Sequence, residues 1–457
     1  MLKNINRIHM LGIGGIGVSG VARILAVNGF EVSGSDVRES SLTTALRDEG
    51  LTVTIGHDPK NIEGAELIVL STAIPDTNVE LIAAKQAGMN IVHRSEILSA
   101  ISERYKTIGV TGTHGKGTVS SMIAWMLECA GKDPGFVIGG MLNNFKTNAR
   151  PGGGEWMVIE IDESDGSHLN FKPNYAICNF LEADHLNYYD DLDDIKNTMC
   201  TFIDQNDRLF EAFANFDCEG NRDLSTMTKE RLTGYGIENH SEFTAKIISE
   251  TLPIRFEAFR RETSLGEFEL NIPAVYNIVN AMAAISVGVR IGLDIKDIQK
   301  ALATFEGIEN RFTVVKGGGV TVVKDYVSHP TCMRKVLETA VHLDSGRVIS
   351  VFKPYRYTLI KYLQDEYATA FIGSDEVVLT TMYAAEEDPI PGIDTEFFVN
   401  KIREGGLKVT FIPDQKEINA YLLETVHPDD KVLFFGGDDF FRMADSFVEG
   451  LEHRSQV

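Results

Sequence analysis

A glycine-rich stretch with a single lysine carries the clearest chemical signal in this sequence. Residues 108–118 read Ile-Gly-Val-Thr-Gly-Thr-His-Gly-Lys-Gly-Thr, and apolar residues at helical spacing follow them. A strand, a glycine turn and a helix N-terminus form a phosphate cradle, because backbone N–H groups and the positive end of the helix dipole face the anion. Lys116 is placed to reach β- and γ-phosphate oxygens, and Thr118 offers a hydroxyl to Mg²⁺. The stretch predicts a nucleoside triphosphate site.

The spacing of this loop departs from the standard P-loop, which has four residues between its first glycine and the Gly-Lys pair. Here two residues separate Gly112 from Gly115, and Gly117 follows the lysine. An ordinary glycine turn with a surface lysine is the alternative interpretation of the stretch taken by itself. The candidate ATP-binding residues of the loop are Gly112, Thr113, His114, Gly115, Lys116, Gly117 and Thr118.

A second glycine turn lies near the N-terminus, where Gly12, Gly14 and Gly17 have the Gly-x-Gly-x-x-Gly spacing. Asp36 follows about twenty residues later, at the position of a ribose-binding acid in dinucleotide-binding folds. The motif fits a nicotinamide dinucleotide and a UDP-sugar equally, since it requires only a diphosphate at a helix N-terminus. Ser71 begins a turn after another predicted strand, at the edge where ligands collect in open parallel sheets.

Acidic residues lie at the end of the buried strand predicted at 156–161 and directly after it. Because Mg²⁺ prefers oxygen ligands, they are candidate metal ligands, and a solvated acidic turn is the alternative. These acids are Glu160, Asp162, Glu163 and Asp165. His185 follows the strand predicted at 175–180 and stands beside two acids, which favours a metal or proton role over a core histidine.

Two asparagines in a helix that begins near residue 271 lie three residues apart and share a face. The amides of Asn277 and Asn280 fit an adenine edge, and helix-capping or surface asparagines are an equally good interpretation.

Alternating strands and helices place these residues in three α/β units, with domains at 1–104, 105–311 and 312–457. Arg311 anchors the linker before the third unit, and within that unit Pro330 stands near the start of a helix. The alternation indicates parallel, doubly wound sheets throughout. The other strands that position the motifs are predicted at 7–13, 31–35, 67–72, 320–323, 348–352, 376–380 and 431–435, and the helix after the first turn at 18–29.

The composition of the chain argues against several classes of protein. A formal net charge of −23 argues against nucleic-acid binding, which needs a basic footprint. Five scattered cysteines without a Cys-x-x-Cys pattern indicate a reduced, cytoplasmic protein. We see no signal peptide and no apolar segment of membrane-spanning length, so we expect no membrane partner.

Together, these motifs resemble those of the Mur ligases over nearly the whole chain. The runs Thr-Asn-Ala-Arg at 147–150 and Glu-Ser-Asp-Gly-Ser at 163–167 are specific, and they favour the branch that adds L-alanine over the branch that recycles muropeptides. The matching residues lie at 9–20, 32–36, 71–74 and 94–98, at 112–116, 139–142, 147–150, 160–167 and 179–185, and at 325–326, 329–331, 354–357 and 436–438.

The resemblance implies a fold of three α/β domains: a Rossmann-like UDP-binding domain, a central P-loop-type ATPase domain and a C-terminal Rossmann-like domain. In this family ATP phosphorylates the lactyl carboxylate of UDP-N-acetylmuramate, and an amino group then attacks the acyl phosphate, in peptidoglycan precursor synthesis. The implied cofactors are ATP and Mg²⁺. The implied partners are UDP-N-acetylmuramate and an amino acid, with L-alanine favoured. We expect a cytoplasmic monomer or homodimer.

Carried over position by position, the resemblance gives each candidate residue a role. The catalytic residues it implies are Lys116, His185, His329 and Arg356, of which the last two face the amino acid. The metal ligands it implies are Thr118, Glu160 and His185. The ATP site gains Asn277, Asn280, Arg311 and Asp325. The UDP-sugar site takes Gly14, Gly15, Ile16, Ser35, Asp36, Ser71 and Arg94.

Departures from the family pattern cluster at the phosphate loop and on the amino-acid side. Gly117 stands where the family has threonine, and Ser328 and Tyr355 stand where it has histidines. The family's Pro-Gly-Arg-His-Asn becomes Pro-Ala-Val-Tyr-Asn at 273–277. Three alternatives follow: a ligase for a different amine, a catalytically weak paralogue that binds a UDP-sugar, and a nicotinamide dehydrogenase, which leaves the second glycine loop unexplained.

Overall fold

Three β-sheets organise the chain in a computed structural model that describes residues 2, 4–384 and 387–455. The chain divides into two compact units. The first holds the N-terminal and middle sheets, and the second holds the C-terminal sheet together with Asp184–Asp191 and Pro273–Asn277. Across the described ranges, every helix is too short or too polar to span a bilayer.

The N-terminal sheet has five parallel strands in the order β3-β2-β1-β4-β5, as a Rossmann-like domain should. Its elements are β1 Arg7–Leu11, α1 Ile16–Val27, β2 Glu31–Asp36, α2 Ser41–Asp48, β3 Thr52–Ile55, β4 Leu67–Leu70, α3 Val79–Gln86, β5 Asn90–His93 and α4 Arg94–Ser102. The prediction of a first strand that continues to Ile13 is wrong, because Gly12 turns the chain at φ 69°.

The middle sheet has ten strands in the order β15-β14-β13-β12-β11-β10-β6-β9-β7-β8, and its central strands are parallel. The pairs β13–β14, β14–β15 and β7–β8 are antiparallel, which the alternation of strands and helices did not predict. Its elements are β6 Lys106–Thr111, α5 Lys116–Cys129, β7 Gly135–Leu142, β8 Thr147–Arg150, β9 Trp156–Glu160, β10 Tyr175–Cys178, α6 Leu192–Asp204, β11 Glu211–Asn215, α7 Glu219–Met227, β12 Leu232–Gly236, β13 Phe243–Ser249, β14 Ile254–Arg260, β15 Thr263–Leu270, α8 Tyr276–Arg290 and α9 Ile295–Ala303.

The C-terminal sheet has six strands in the order β16-β17-β21-β18-β19-β20. Its elements are β16 Thr313–Gly317, β17 Val320–Asp325, α10 Pro330–Ala340, β18 Val348–Phe352, α11 Tyr357–Tyr362, α12 Gln364–Ala370, β19 Glu376–Leu379, α13 Thr395–Glu404, β20 Val409–Phe411, α14 Ile418–Thr425, β21 Lys431–Phe435 and α15 Asp438–Ser455. The prediction of a purely parallel sheet is wrong at β16, which forms a hairpin with β17. Gly318 and Gly319 form the two-residue turn, both at positive φ, which is the backbone that a tight hairpin requires.

A buried histidine makes the middle domain sensitive to acid. His168, in the short 3₁₀ segment Ser167–Asn170, is fully buried and its ring lies 5.7 Å from that of Phe202. Burial lowers the pKa of His168 from its ordinary 6.5 to about 4, against the opposing effect of a backbone contact with Thr198 and the charge of Asp165. The folded protein therefore holds this ring neutral, while the unfolded chain protonates it below about pH 6.5.

We therefore expect the middle domain to lose about 3 kcal/mol of stability between pH 6.5 and pH 4 through His168. Above pH 6.5 both states hold the neutral ring, so the contribution is flat. Trp125 and Trp156 are the chain's two tryptophans and both lie in this domain, so tryptophan fluorescence during urea unfolding reports on it. A His168→Leu variant should show a smaller acid loss than the wild type. Equal pH slopes for the two proteins would contradict the assignment.

Candidate functional site

The phosphate loop has the geometry that its glycines predict. β6 ends at Thr111, Gly112 adopts φ 110°, and Gly115 adopts φ 75° immediately before α5 begins at Lys116. A Cβ placed on Gly112 would lie 2.4 Å from the carbonyl oxygen of Phe180, and one on Gly115 would lie 2.3 Å from Nδ2 of Asn179. Only glycine fits at these two positions, because the loop packs tightly against the residues that follow β10. The N–H of Thr113 donates to the carbonyl oxygen of Phe180 at 2.8 Å in this contact.

Lys116 lies folded over this loop. Its Nζ donates to the carbonyl oxygen of Gly112 at 2.8 Å and to Oε1 of Glu163 at 2.8 Å. Burial favours the neutral amine, yet the carboxylates of Glu163, Asp162 and Glu160 raise the pKa of Lys116 above its ordinary value. The lysine is therefore a permanent cation whose place is fixed by two hydrogen bonds, which suits charge stabilisation and not proton transfer.

Asn179 is a residue that the sequence analysis did not single out for the loop. It follows β10, and its Nδ2 donates to the carbonyl oxygen of His114 at 3.0 Å and to Oδ1 of Asn280 at 2.8 Å. The hydroxyl of Tyr235 donates to Oδ1 of Asn179 at 2.7 Å. Asn280 is buried behind the loop, so it is not a surface asparagine, and its amide supports the residue that holds the loop. The signal for Asn179 in the sequence was its place in the family-matching run at 179–185, which gave it no role of its own.

Glu160 ends β9 between two glycines. Its Oε2 accepts from the backbone N–H of Gly139 at 2.6 Å. A Cβ on Gly139 would lie 2.9 Å from Oε1 of Glu160, and one on Gly117 would lie 3.3 Å from Oε2. The absence of side chains at both glycines lets this carboxylate lie close to the backbone beside the phosphate loop. A carboxylate oxygen is a ligand that Mg²⁺ prefers, so Glu160 fits a metal at this position.

Thr118 lies about 100° further around α5 than Gly117, since a helix has 3.6 residues per turn. The position that faces Glu160 therefore carries no hydroxyl in this chain, and the metal-binding role of Thr118 stays a prediction.

Gly112→Ala should disrupt the phosphate loop. An alanine there would have an unfavourable positive φ, and its Cβ would overlap the carbonyl oxygen of Phe180. Gly131→Ala is the matched control: Gly131 has φ 66°, and its Cβ would meet nothing within 4 Å. We expect the control to lose about 1 kcal/mol of stability and Gly112→Ala to lose at least about 2 kcal/mol more, with at least tenfold weaker binding of a non-hydrolysable ATP analogue. Tryptophan-monitored unfolding and calorimetry measure the two effects, and equal values for both variants would refute the expectation.

The N-terminal glycine turn is held by the end of β2. The carbonyl oxygen of Ser35 accepts from the N–H groups of Gly12 and Ile13 at 2.8 and 3.0 Å, and Oδ2 of Asp36 accepts from the N–H of Gly14 at 2.9 Å. Asp36 therefore fixes the turn itself, whatever it contacts in a ligand. Gly15 precedes α1, Ile16 is its first residue, and Ser71 begins the turn that follows β4, so these predicted UDP-sugar residues lie at the carboxyl edge of the sheet.

The hydroxyl of Ser35 points into a buried polar cluster and not toward the sheet edge. It donates to Oε2 of Glu80 at 2.5 Å, and both side chains are fully buried. Burial alone would raise the pKa of Glu80, yet hydrogen bonds from His9, Ser35 and Asn61 lower it to about 2. Ser35 can therefore act on a nucleotide through the turn that its carbonyl holds, while its side chain is committed to Glu80.

Arg94 joins the glycine turn to the acidic segment after β9. It is the first residue of α4, and its Nη2 donates to Oδ2 of Asp162 at 3.2 Å. A Cβ on Gly17, in the first turn of α1, would lie 2.9 Å from Nη1 of Arg94. Burial raises the pKa of Asp162, but Lys116 and Arg94 reverse this and lower it. The carboxylate of Asp162 thus interacts electrostatically with a cation of each predicted nucleotide site.

In the second unit, the structure brings Arg311 and Asp325 together. Nη1 of Arg311 lies 3.9 Å from Oδ1 of Asp325, and Oδ2 accepts from the N–H of Phe312 at 3.0 Å. Burial raises the pKa of Asp325 to about 6, although Arg311 and the amide of Phe312 oppose this. Tyr276 stands where the family has histidine, and burial raises its pKa well above the ordinary value.

Arg356 has a strained backbone in this unit, at φ 62° and ψ 132°. Its Nη1 donates to Oδ1 of Asn187 at 3.0 Å, and its guanidinium lies 5.3 Å from the ring centre of Tyr355. The backbone N–H of Arg356 donates to the carbonyl oxygen of Tyr383 at 2.9 Å. Strain that neighbouring contacts maintain is typical of functional positions.

The two histidines predicted for the site both lie in the second unit and contact residues next to them in sequence. His329 precedes Pro330 at the N-terminus of α10, as predicted for this turn, and its Nδ1 accepts from the N–H of Thr331 at 3.3 Å. His185 adopts φ 52°, and its backbone N–H donates to Oδ1 of Asp184 at 2.7 Å. Asn277 donates from Nδ2 to the carbonyl oxygen of Pro273 at 2.6 Å and is buried, so it is not a surface residue either.

Comparison with known proteins matches the chain to three family models. They are "Mur ligase family, catalytic domain" over residues 7–106, "Mur ligase middle domain" over 110–288 and "Mur ligase, glutamate ligase domain" over 310–437. The chain is 38% identical over 455 residues to a UDP-N-acetylmuramate–L-alanine ligase of Geotalea daltonii, covering 99% of each chain. It is 39% identical over 450 residues to the enzyme of the same name from Desulfosudis oleivorans, covering 97% of this chain and 98% of that one.

Among solved structures, the chain is similar to the UDP-N-acetylmuramate-alanine ligase of Thermotoga maritima, with a TM-score of 0.82 and 26% identity. The match covers 99% of this chain and 100% of the Thermotoga chain.

Proposed function

Because this chain belongs to the Mur ligase family, we propose that it joins L-alanine to the lactyl carboxylate of UDP-N-acetylmuramate at the expense of ATP. The observation that carries the proposal is full-length identity of 38% and 39% to two ligases of that name. The product would be a precursor of peptidoglycan. The reaction forms an acyl phosphate first, and the amino group then displaces phosphate from it.

Lys116 would stabilise the charge on the β- and γ-phosphate oxygens as the phosphoryl group moves to the lactyl carboxylate. Its two hydrogen bonds fix the ammonium at the N-terminus of α5, so no reorganisation is needed during the reaction. Glu160, with His185 and Thr118 as further candidates, would hold Mg²⁺, which supplies additional neutralisation of phosphoryl charge when bound. Asn277, Asn280, Arg311 and Asp325 remain our candidates for the rest of the ATP site.

On the amino-acid side, Arg356 would pair with the carboxylate of alanine in a bidentate fork, and His329 would face the amine. Both belong to the second unit, in which Ser328 and Tyr355 replace histidines of the family pattern. These two replacements favour a second candidate function, a ligase of the same chemistry that takes a different amine. We also infer that the protein is cytoplasmic, since the reaction draws on ATP. We infer that it is a monomer or a homodimer, and light scattering after size exclusion would establish the assembly.

Phosphate release with ATP, Mg²⁺ and UDP-N-acetylmuramate, with the amino acids added one at a time, tests the proposal. Turnover with L-alanine alone supports it. Turnover with another amine supports the second candidate, and Ser328→His and Tyr355→His should then shift the preference toward L-alanine. Binding of UDP-N-acetylmuramate without turnover would instead indicate a nucleotide-sugar-binding paralogue. An NADH absorbance change would point to a dehydrogenase.

A further inference from the structure

A cavity lies at the edge of the middle sheet where the parallel strands β11 and β12 begin. It has a volume of about 400 Å³ and adjoins a second cavity of about 440 Å³. Small-molecule sites have volumes of about 300 to 1,000 Å³, so either cavity is large enough for a ligand. The phosphate loop follows the carboxyl end of β6, at the opposite edge of the same sheet. The cavity is therefore separate from the predicted ATP site.

The cavities arise from the way that β13 pairs with β12. This pairing begins at Tyr235, which leaves the edge of the preceding β12 residues open to the second cavity. The loop 237–242 returns past this edge and brings Glu242 into the wall of both cavities. Ser241 lines the second cavity, and its buried hydroxyl oxygen has no hydrogen-bond partner among the residues that the structure describes. The cavities thus have polar walls.

Three guanidinium groups surround the carboxylate of Glu242. Its Oε1 accepts from Nη2 of Arg290 at 2.9 Å and from Nε of Arg260 at 3.2 Å, and its Oε2 lies 3.8 Å from Nη2 of Arg261. The ring centre of the buried Phe243 lies 5.8 Å from Cζ of Arg260 and 5.9 Å from Cζ of Arg290. These contacts fix two of the three guanidinium groups beside the first cavity.

The wall of the first cavity carries an excess of positive charge. Glu211 lies 3.0 Å from Nε of Arg290, so the three guanidinium groups share two carboxylates. Arg231 adds a further cation to the wall, and its exposed side chain makes no hydrogen bond or ion pair with any residue that the structure describes. Glu230 is the remaining carboxylate of the wall, so arginines still outnumber acids. This balance is unusual in a chain whose formal net charge is −23.

Arg261 presents its donors to the same cavity. It lies in the two-residue turn between β14 and β15 at φ 56°, a conformation in which glycine or asparagine is usual. Its side chain is 70% exposed, and the distance of 3.8 Å to Glu242 is longer than a hydrogen bond. The guanidinium has five N–H donors in a planar fork, and they are available to a ligand in the cavity.

We propose that the first cavity binds a small anion that carries a diphosphate group, through the guanidinium groups of Arg231 and Arg261. A guanidinium fork matches two oxygens of one phosphate group, so two forks suit the two phosphates of a diphosphate. The cations that Glu242 fixes supply the surrounding positive charge. The site lies apart from the predicted ATP and nucleotide-sugar sites, so the inference does not depend on the proposed function.

Calorimetric titration with pyrophosphate tests the site. Arg231→Gln and Arg261→Gln should each weaken binding at the cavity about tenfold, as loss of hydrogen bonds to a charged group does. Both side chains are exposed, so both variants should fold as the wild type does. Arg255→Gln is the matched control, because Arg255 lies in β14 and pairs with Glu267 at 2.6 Å instead of lining the cavity. It should change the affinity by less than about twofold, since exposed pairs contribute little.

A change in the opposite direction is expected for Glu230. Its carboxylate lies in the wall and repels an anion, so Glu230→Gln should strengthen binding about threefold. Raising the salt concentration from about 0.05 M to about 0.5 M should weaken binding at least about tenfold, because charges at an open cavity are screened. Weaker binding in Glu230→Gln would contradict the assigned charge balance and overturn the inference.

Hydrogen exchange locates the bound pyrophosphate, which the phosphate loop should also bind. In the wild type, pyrophosphate should slow exchange of the backbone amides at 231–243 and 259–263 as well as at 112–118. A variant that combines Arg231→Gln with Arg261→Gln should retain only the effect at 112–118. Protection confined to the phosphate loop in the wild type, or equal affinity in the wild type and both single variants, would overturn the inference and leave the proposed function intact.

Discussion

Replacing Lys116 with methionine should lower kcat for phosphate release by at least about a thousandfold, which is about 4 kcal/mol of transition-state stabilisation. The reason is that the lysine is a cation held in place by hydrogen bonds to Gly112 and Glu163. A fixed charge of this kind acts on the phosphoryl transition state, so the loss should appear in kcat and kcat/KM together. Steady-state kinetics with saturating UDP-N-acetylmuramate and amino acid measure it.

A loss of folding stability would also lower kcat. A second variant separates that effect from loss of the catalytic charge. Glu163 is fully buried, so removing its lysine partner costs about 3 to 5 kcal/mol in similar buried pairs. Combining Lys116→Met with Glu163→Gln removes the buried charge together with its partner. We expect the double variant to recover much of the stability seen by tryptophan fluorescence and none of the activity. Recovery of activity in the double variant would show that the lysine has a structural role only.

Arg356→Ala should raise the KM for the amino acid about a hundredfold and leave the KM for ATP and for UDP-N-acetylmuramate within about threefold. A bidentate pair with the substrate carboxylate is the contact that is lost, and hydrogen bonds to charged groups contribute about 1.5 to 3 kcal/mol each. Arg356→Lys should remain impaired, because an ammonium cannot reproduce the fork. A uniform rise in all three KM values would argue for a general distortion of the unit.

The strained backbone of Arg356 supplies a matched pair of variants. At φ 62° an alanine keeps the strain that the arginine has, whereas a glycine adopts this backbone freely. We therefore expect Arg356→Gly to be at least as impaired in amino-acid binding as Arg356→Ala, yet more stable by about 1 kcal/mol. The order of the two stabilities in thermal unfolding decides whether the backbone stores strain to aim this side chain.

The parts of the site that lie within one strand–turn–helix unit could be predicted from the sequence. Gly112 and Gly115 adopt the positive φ that a phosphate cradle requires, and Lys116 begins the helix as expected. The three α/β units and the family membership are likewise confirmed. Short-range spacing carries this information because strand, turn and helix are each encoded over a few residues.

Contacts between distant segments could not be predicted in this way. Asn280 supports Asn179 from 101 residues away, and Arg94 reaches Asp162 across 68 residues. No local spacing encodes such pairs, since they arise only once the sheets have assembled. The buried hydroxyl of Ser35 shows the same limit, because strand position predicts which residues reach the sheet edge but not which way a given side chain points.

The second compact unit is assembled from three separate segments of the chain, and this affects how it folds during synthesis. Two of its pieces, Asp184–Asp191 and Pro273–Asn277, leave the ribosome long before the segment that starts at Glu309. At typical elongation rates the earlier piece waits on the order of tens of seconds for the rest of its unit. Truncated nascent chains should therefore protect the N-terminal sheet from protease while these two segments are still cleaved. Slower translation of the codons after Ile308 should lengthen that period of exposure.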